Sequence, residues 1–151
     1  MNARLLALAA FVVGVVAVGS FIGLMFPAGE WHASLVKPSF NPPNWLFAPV
    51  WTTLYVLIGI AGWRAWYKTE DAPLRQLWLL QMVLNFAWSP AFFGAESPLL
   101  GLIVILPMLA AIIAFALRAW RVDPISTWLF VPYIAWVSFA TMLTAAIYRL
   151  N

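Results

Sequence analysis

Five stretches free of Asp, Glu, Lys and Arg run along the chain, at residues 5–29, 38–63, 76–95, 97–117 and 124–148. Each holds about the 20 residues that a helix needs to cross roughly 30 Å of hydrocarbon at 1.5 Å per residue. The residues between them suit helix ends. Asn44, Ser97 and Asp123 are types whose side-chain oxygen caps a helix N-terminus, and Pro98 and Pro124 sit in first turns, where a missing N–H costs nothing. The pattern predicts helices over residues 5–26, 45–66, 75–93, 98–119 and 124–148, an all-α integral membrane bundle of five transmembrane helices forming a single domain, 1–151.

Short connections at 94–97 and 121–123 make the third and fourth helices, and the fourth and fifth, antiparallel neighbours. Residues 27–44 are the exception, a long loop carrying Pro27, Pro38, Pro42 and Pro43 with a short stretch of helical character at 29–35. Trp31, Phe40 and Trp45 in this loop argue for an ordered lid packed on the bundle. The first span has something of a secretory signal, with Arg4 ahead of it and small residues at Ala17-Val18-Gly19-Ser20, but its apolar run continues to Phe26, longer than a signal core. Of the eight basic residues, Arg4, Arg64, Lys68, Arg75, Arg118 and Arg121 fall at one face of such a bundle, and Lys37 and Arg149 at the other. The positive-inside rule then places the amino terminus in the cytoplasm. With no transit peptide and a compact length, a bacterial cell membrane is the expected location.

Composition agrees: 65% of the residues are hydrophobic and 9% charged, where a soluble domain has roughly a quarter charged. The net charge of +3 is scattered between spans rather than gathered in a stripe, so nucleic acid is not an expected partner. There is no cysteine and one histidine, His32, which removes disulfides, thiolate chemistry and a His-built metal or bis-histidine haem site within one chain. No lysine or carboxylate lies inside a span, against a retinal Schiff base, a proton relay or an ion path.

Ten tryptophans in 151 residues call for an account. Trp63, Trp66, Trp78, Trp120 and Trp128 stand near helix ends and suit an interfacial aromatic belt. Trp51, Trp88 and Trp136 lie deeper. Asn85, Trp88 and Phe92 share one helical face by spacing, as do Trp51 and Tyr55, and Asn85 and Gln81 are polar residues in an apolar helix. An asparagine in lipid needs a partner, so from spacing alone an aromatic pocket and plain interhelical packing stand level. Prolines at 49, 90, 107 and 132 are expected to bend their helices and leave room between them. Gly19 and Gly23 form a small-residue face for close approach of a neighbour, in the same chain or in a second copy.

The run from Trp31-His32 through Lys37-Pro38 and Pro42-Pro43-Asn44-Trp45 to Pro49-Val50-Trp51 and Tyr55 resembles the signature of the tryptophan-rich sensory protein (TspO/MBR) family, relatives of the translocator protein or peripheral benzodiazepine receptor. Asn85-Phe86-Ala87-Trp88-Ser89-Pro90 with Phe92-Phe93, and Val131-Pro132-Tyr133 with Trp136, resemble the family's third and fifth helices. The resemblance implies a five-helix bundle that commonly forms homodimers, with a ligand pocket closed by the first loop. It also implies porphyrin ligands such as protoporphyrin IX and haem, and synthetic ligands of the isoquinoline carboxamide and benzodiazepine types, with no required cofactor and no metal. Carried over by position, the ligand-binding residues are Trp31, Trp51, Tyr55, Asn85, Trp88, Phe92, Phe93, Trp136 and Ala140. This chain departs from the family pattern at His32, Phe40 and Thr144. Tyr148 abuts Arg149, which breaks the spacing of the relatives' cholesterol motif, so specific cholesterol recognition is not expected.

The function so implied is a membrane receptor or carrier for porphyrins, in tetrapyrrole transport, sensing or stress regulation. Two other classes stay open: an enzyme that degrades porphyrin in light through Trp51 or Trp136, and a regulatory scaffold whose ligand shifts partner binding.

Overall fold

In a computed structural model, which describes residues 2–151, five helices are long and apolar enough to cross a membrane: Ala3–Met25, Asn44–Tyr67, Ala72–Gly94, Pro98–Val122 and Pro124–Leu150. We label the α-helical parts α1 (Ala3–Met25), α3 (Phe47–Tyr67), α4 (Ala72–Ser89), α5 (Pro98–Val122) and α6 (Pro124–Leu150), with a short α2 (Glu30–Ser34) in the first loop. A 3-10 turn, Asn44–Leu46, leads into α3, and a π turn, Pro90–Gly94, ends the α4 span. Among the described residues there is no strand. Two features of the ends differ from expectation. The third span begins three residues early, at Ala72, because Asp71 accepts the Leu74 N–H at 2.8 Å and caps it. Asn44 caps nothing with its side chain and instead opens the 3-10 turn, whereas Ser97 does cap α5, accepting from Leu100 N–H at 3.2 Å.

The helices form a ring in the order α1, α3, α6, α5, α4, with a thin seam where α4 returns to α1. Ile58, Ile112, Phe115, Phe130 and Tyr133 are fully buried at its centre. α1 buries only Val15 and Gly19 and turns the rest outward, as an apolar helix does when lipid is its solvent. Its close approach to α3 is decided by Gly59, where a Cβ would lie 2.7 Å from the Val12 Cα. The small-residue face on α1 does half of what its spacing suggests. A Cβ on Gly19 would strike the Tyr55 ring, while Gly23 faces open space.

At the end bearing the amino terminus, charged residues tie helix to helix. Arg64 of α3 makes a two-pronged pair with Asp123 at 2.8 and 2.7 Å, and Arg118 of α5 pairs with Asp71 at 2.7 Å. Arg75 donates to the last carbonyls of α3, those of Ala65 at 3.0 Å and Thr69 beyond it at 2.7 Å. Asp123 is therefore no side-chain cap for α6. Its carboxylate is taken by Arg64 and by the Ser126 hydroxyl. Trp78 is likewise no belt residue: Gly62 leaves a slot for its indole, which is 7% exposed and donates to the Ile58 carbonyl at 3.0 Å. Trp120 and Trp128 do stand exposed at this end, as belt residues should.

Candidate functional site

Both Trp51 and Tyr55 lie in the early turns of α3, near the long loop, and their four-residue spacing sets the rings 5.5 Å apart. A directed chain of hydrogen bonds starts from them. The Tyr55 hydroxyl donates to Asn85 Oδ1 at 3.3 Å, Asn85 Nδ2 donates to the Tyr133 hydroxyl at 2.7 Å, and Tyr133 donates to Gln81 Oε1 at 2.9 Å. Gln81 Nε2 closes the chain on the Trp78 carbonyl at 2.9 Å. Gln81, Asn85 and Tyr133 are buried, so lipid and water are both excluded and each polar group depends on its neighbour. Tyr133 also presents an edge to Trp51, 6.4 Å between ring centres.

Nearer the loop the site becomes wholly aromatic, and Pro90 is the reason. Without an N–H it cannot continue the α ladder, and the chain widens into a π turn in which Ala95 N–H reaches the Pro90 carbonyl at 2.8 Å. The widened turn carries Phe92 and Phe93. Phe92 stacks on Trp88 with 5.0 Å between centres and 12° between planes, and Phe93 stands edge-on to Phe92 at 4.9 Å. The loop covers them: Trp31 meets Phe92 at 5.6 Å and His32 meets Phe93 at 5.3 Å. Burial, then the nearby Lys37 ammonium, holds the His32 imidazole below its ordinary pKa, so at neutral pH an uncharged ring lies on the phenylalanines. Phe47 and Phe139 pack on the same cluster and extend it to Trp136, with centres at 5.6 and 5.7 Å from the indole. Ala140, one turn beyond Trp136, packs against the neighbouring core and accepts from the Thr144 hydroxyl at 2.7 Å.

All nine residues singled out in the sequence thus lie in the loop-side half of the bundle, with Trp88 common to the two packed clusters. Tyr133 was not among them, although it stands at the three- and seven-residue spacing from Trp136 and Ala140 that puts all of them on one face of α6. Phe47 belongs to the run that carries the family resemblance without being singled out for the site, and Phe139 carries no signal beyond being aromatic.

Two buried donors stand out. The indole Nε1 of Trp88 and that of Trp136 have no hydrogen-bond partner among the described residues, as is also true of Trp63 at the far end. A buried indole N–H usually finds an acceptor, and leaving one unmet costs about 1–3 kcal/mol. Trp136 also walls an apolar groove of about 660 Å³ between α3 and α6, shared with Trp45, Pro49, Thr53, Pro132 and Ala135 and open at the surface of the bundle. Pro49 falls in the first turn of α3, where it costs no hydrogen bond, while Pro132 is inside α6. A second open groove, of about 510 Å³, follows the thin seam between α1 and α4. Among the described residues no three His, Cys, Asp or Glu side chains gather as metal ligands.

Comparison with known proteins adds kinship to this geometry. The sequence profile of the TspO/MBR family matches residues 7–149. The chain is 42% identical to the tryptophan-rich protein TspO of Chlorobaculum tepidum, an alignment covering all of this chain and 99% of that protein. It is 41% identical to the protein of the same name from Archaeoglobus fulgidus, over 98% of this chain and 99% of that one. The human translocator protein is 39% identical over 88% of this chain and 83% of its own.

Proposed function

The chain belongs to the TspO/MBR family of integral, multi-pass membrane proteins, and on that premise we propose that it binds porphyrins, protoporphyrin IX or haem, among the aromatic side chains beneath the loop. One observation carries the reading: stacked aromatic faces coincide with two buried indole N–H groups, on Trp88 and Trp136, that nothing among the described residues satisfies. A tetrapyrrole offers both missing parts, a planar face to stack on tryptophan and phenylalanine and carboxylates to accept from the indoles. Isoquinoline carboxamides and benzodiazepines share that chemistry in smaller form, as fused rings bearing an amide carbonyl. The role that follows is receptor or carrier, in tetrapyrrole transport, sensing or stress regulation.

Titrating the detergent-purified protein with protoporphyrin IX in the dark, and following tryptophan fluorescence, tests this. Saturable quenching is expected, with affinity falling about tenfold in Trp136→Phe, which keeps a ring and removes one N–H donor. Linear quenching, equal in wild type and variant, would mean partition into the micelle and sink the reading. A second reading keeps the same site and adds light. Trp51 lies within 5.5 Å of Tyr55 and 6.4 Å of Tyr133, ring centre to ring centre, so an indole oxidised by an excited porphyrin would have tyrosines beside it as electron donors. A bilin-like product formed only under illumination and only with dioxygen, the oxidant that supplies the oxygen atoms of the opened ring, and absent from Trp51→Phe, distinguishes it from simple binding.

The basic end of the bundle, with Arg4, Arg64, Lys68, Arg75, Arg118 and Arg121, faces the cytoplasm of a bacterial cell in this reading. A reporter active only outside the cytoplasm, fused after Asn151, is then expected to be active. Silence there, with activity when the reporter is fused before α1, reverses the orientation.

A further inference from the structure

Residues 27–46 cross from α1 to α3 outside the bundle, and two kinds of contact hold them over the aromatic site. One kind is apolar: Trp31 on Phe92, His32 on Phe93, and Phe40 on Phe139 at 6.3 Å. Within itself the segment is tied by Lys37, whose ammonium gathers the carbonyls of His32, Ala33 and Leu35, and by the Ser34 hydroxyl, which donates to the Trp31 carbonyl at 2.7 Å. It is a preformed unit rather than a slack loop.

The other kind comes from a single side chain. Among the described residues, every hydrogen bond between residues 27–42 and the rest of the chain runs through Asn151, residues 43–46 being joined to α3 by their own 3-10 turn. Its Oδ1 accepts the Val36 N–H at 3.0 Å and its Nδ2 donates to the Val36 carbonyl at 3.0 Å, the pair a neighbouring β-strand would make. The remaining Nδ2 hydrogen goes to the Ile147 carbonyl at 2.9 Å, in the last turn of α6, where helix carbonyls lack an internal partner. The amide is therefore held by α6 and presented, fully used, to the loop.

We propose that Asn151 is the latch of this lid, a positioning residue whose bonds to Val36 set how often residues 27–46 lift and so how fast ligand enters and leaves the aromatic site. The inference rests on the ligand-binding reading above. Its logic is spatial: beneath the seated loop the rings of Trp88, Phe92 and Phe93 touch one another at 4.9 to 5.7 Å between centres, and a planar ligand entering among them must part those contacts. Aromatic contacts slide with little change in energy, whereas the directional bonds at Val36 are made or broken together. The site is exposed, so water replaces those bonds when the lid lifts. That suits a latch that opens repeatedly rather than a permanent tie.

The test compares the full chain with Asn151→Ala and Asn151→Asp in the same micelle. Asn151→Asp keeps the acceptor for Val36 N–H and removes both donors. Hydrogen exchange read on peptides covering 33–46 is expected to be about tenfold faster in Asn151→Ala, intermediate in Asn151→Asp, and unchanged in α3 to α6. Stopped-flow mixing with protoporphyrin IX is expected to show association and dissociation rates rising together by a similar factor, with Kd held within about twofold, because the latch is lost equally with the site empty and filled. Unchanged loop exchange, faster exchange throughout the spans, or a faster loop with unchanged ligand rates would each overturn the proposal. If the wild type binds no porphyrin saturably, the ligand reading fails instead, and the loop's exchange still decides whether Asn151 holds it.

Discussion

Tyr133→Phe, which removes a single oxygen atom, is expected to cost the bundle about 3 kcal/mol. That hydroxyl both accepts from Asn85 Nδ2 and donates to Gln81 Oε1, and all three residues are buried among helices where no water or lipid group replaces it. The variant strands one amide donor and one amide acceptor, each costing about 1–3 kcal/mol when left unmet in an apolar surrounding. Unfolding followed by tryptophan fluorescence in a fixed detergent reads the loss. In the double variant Tyr133→Phe with Gln81→Leu, part of the penalty should return, because the stranded Gln81 acceptor is then gone as well. A loss below about 1 kcal/mol would show that Asn85 and Gln81 re-pair with each other or with backbone, the behaviour that keeps many interhelical bonds in membranes weak.

A similar loss, about 3 kcal/mol, is expected for Asp123→Asn at the opposite end of the molecule. The side chain of Asp123 is 8% exposed and that of Arg64 17%, so removing the carboxylate leaves a largely covered guanidinium without its counter-charge. The pH dependence distinguishes this pair from ordinary packing. Burial pushes the Asp123 carboxyl up, but the hydrogen bonds from Arg64 and Ser126 and the Arg64 charge outweigh it and hold the group below its usual range. A carboxyl depressed in the folded state contributes in full above its unfolded value of about 4 and loses the contribution only as pH falls through the lower folded value. The gap in thermal midpoint between wild type and Asp123→Asn should therefore stay constant from about pH 8 to 5 and close only in stronger acid. A gap that shrinks between about pH 7 and 5 would assign the stabilisation to another titrating group.

The particular successes and failures of sequence reading in this chain share a cause. Ser97 was legible as a cap because its partner, Leu100 N–H, is three residues away. Asp123 looked equally good, yet Arg64, 59 residues distant, takes its carboxylate. Trp78 sits near a helix end, as a belt residue would, and only the slot over Gly62 on another helix draws it inward. The face shared by Asn85 and Trp88 was readable from spacing. That Tyr133 would join Asn85 to Gln81 was not, since the three come from two helices about 50 residues apart in the chain.

What this sequence determined alone was the solvent and the count: charge avoidance over five stretches is a local property, and a helix that meets hydrocarbon must satisfy its backbone within itself wherever its neighbours lie. The aromatic residues of the loop-side half were also written into it, by type and spacing. The tertiary structure alone decided which polar groups find partners and which do not: the Asn85 chain, the Arg64–Asp123 pair, the unmet indoles of Trp88 and Trp136, and the hold of Asn151 on Val36, 115 residues away. Hydrogen bonds are short and directional, so their pairing depends on how helices are rotated and placed against one another, and the period of a single helix does not contain that information.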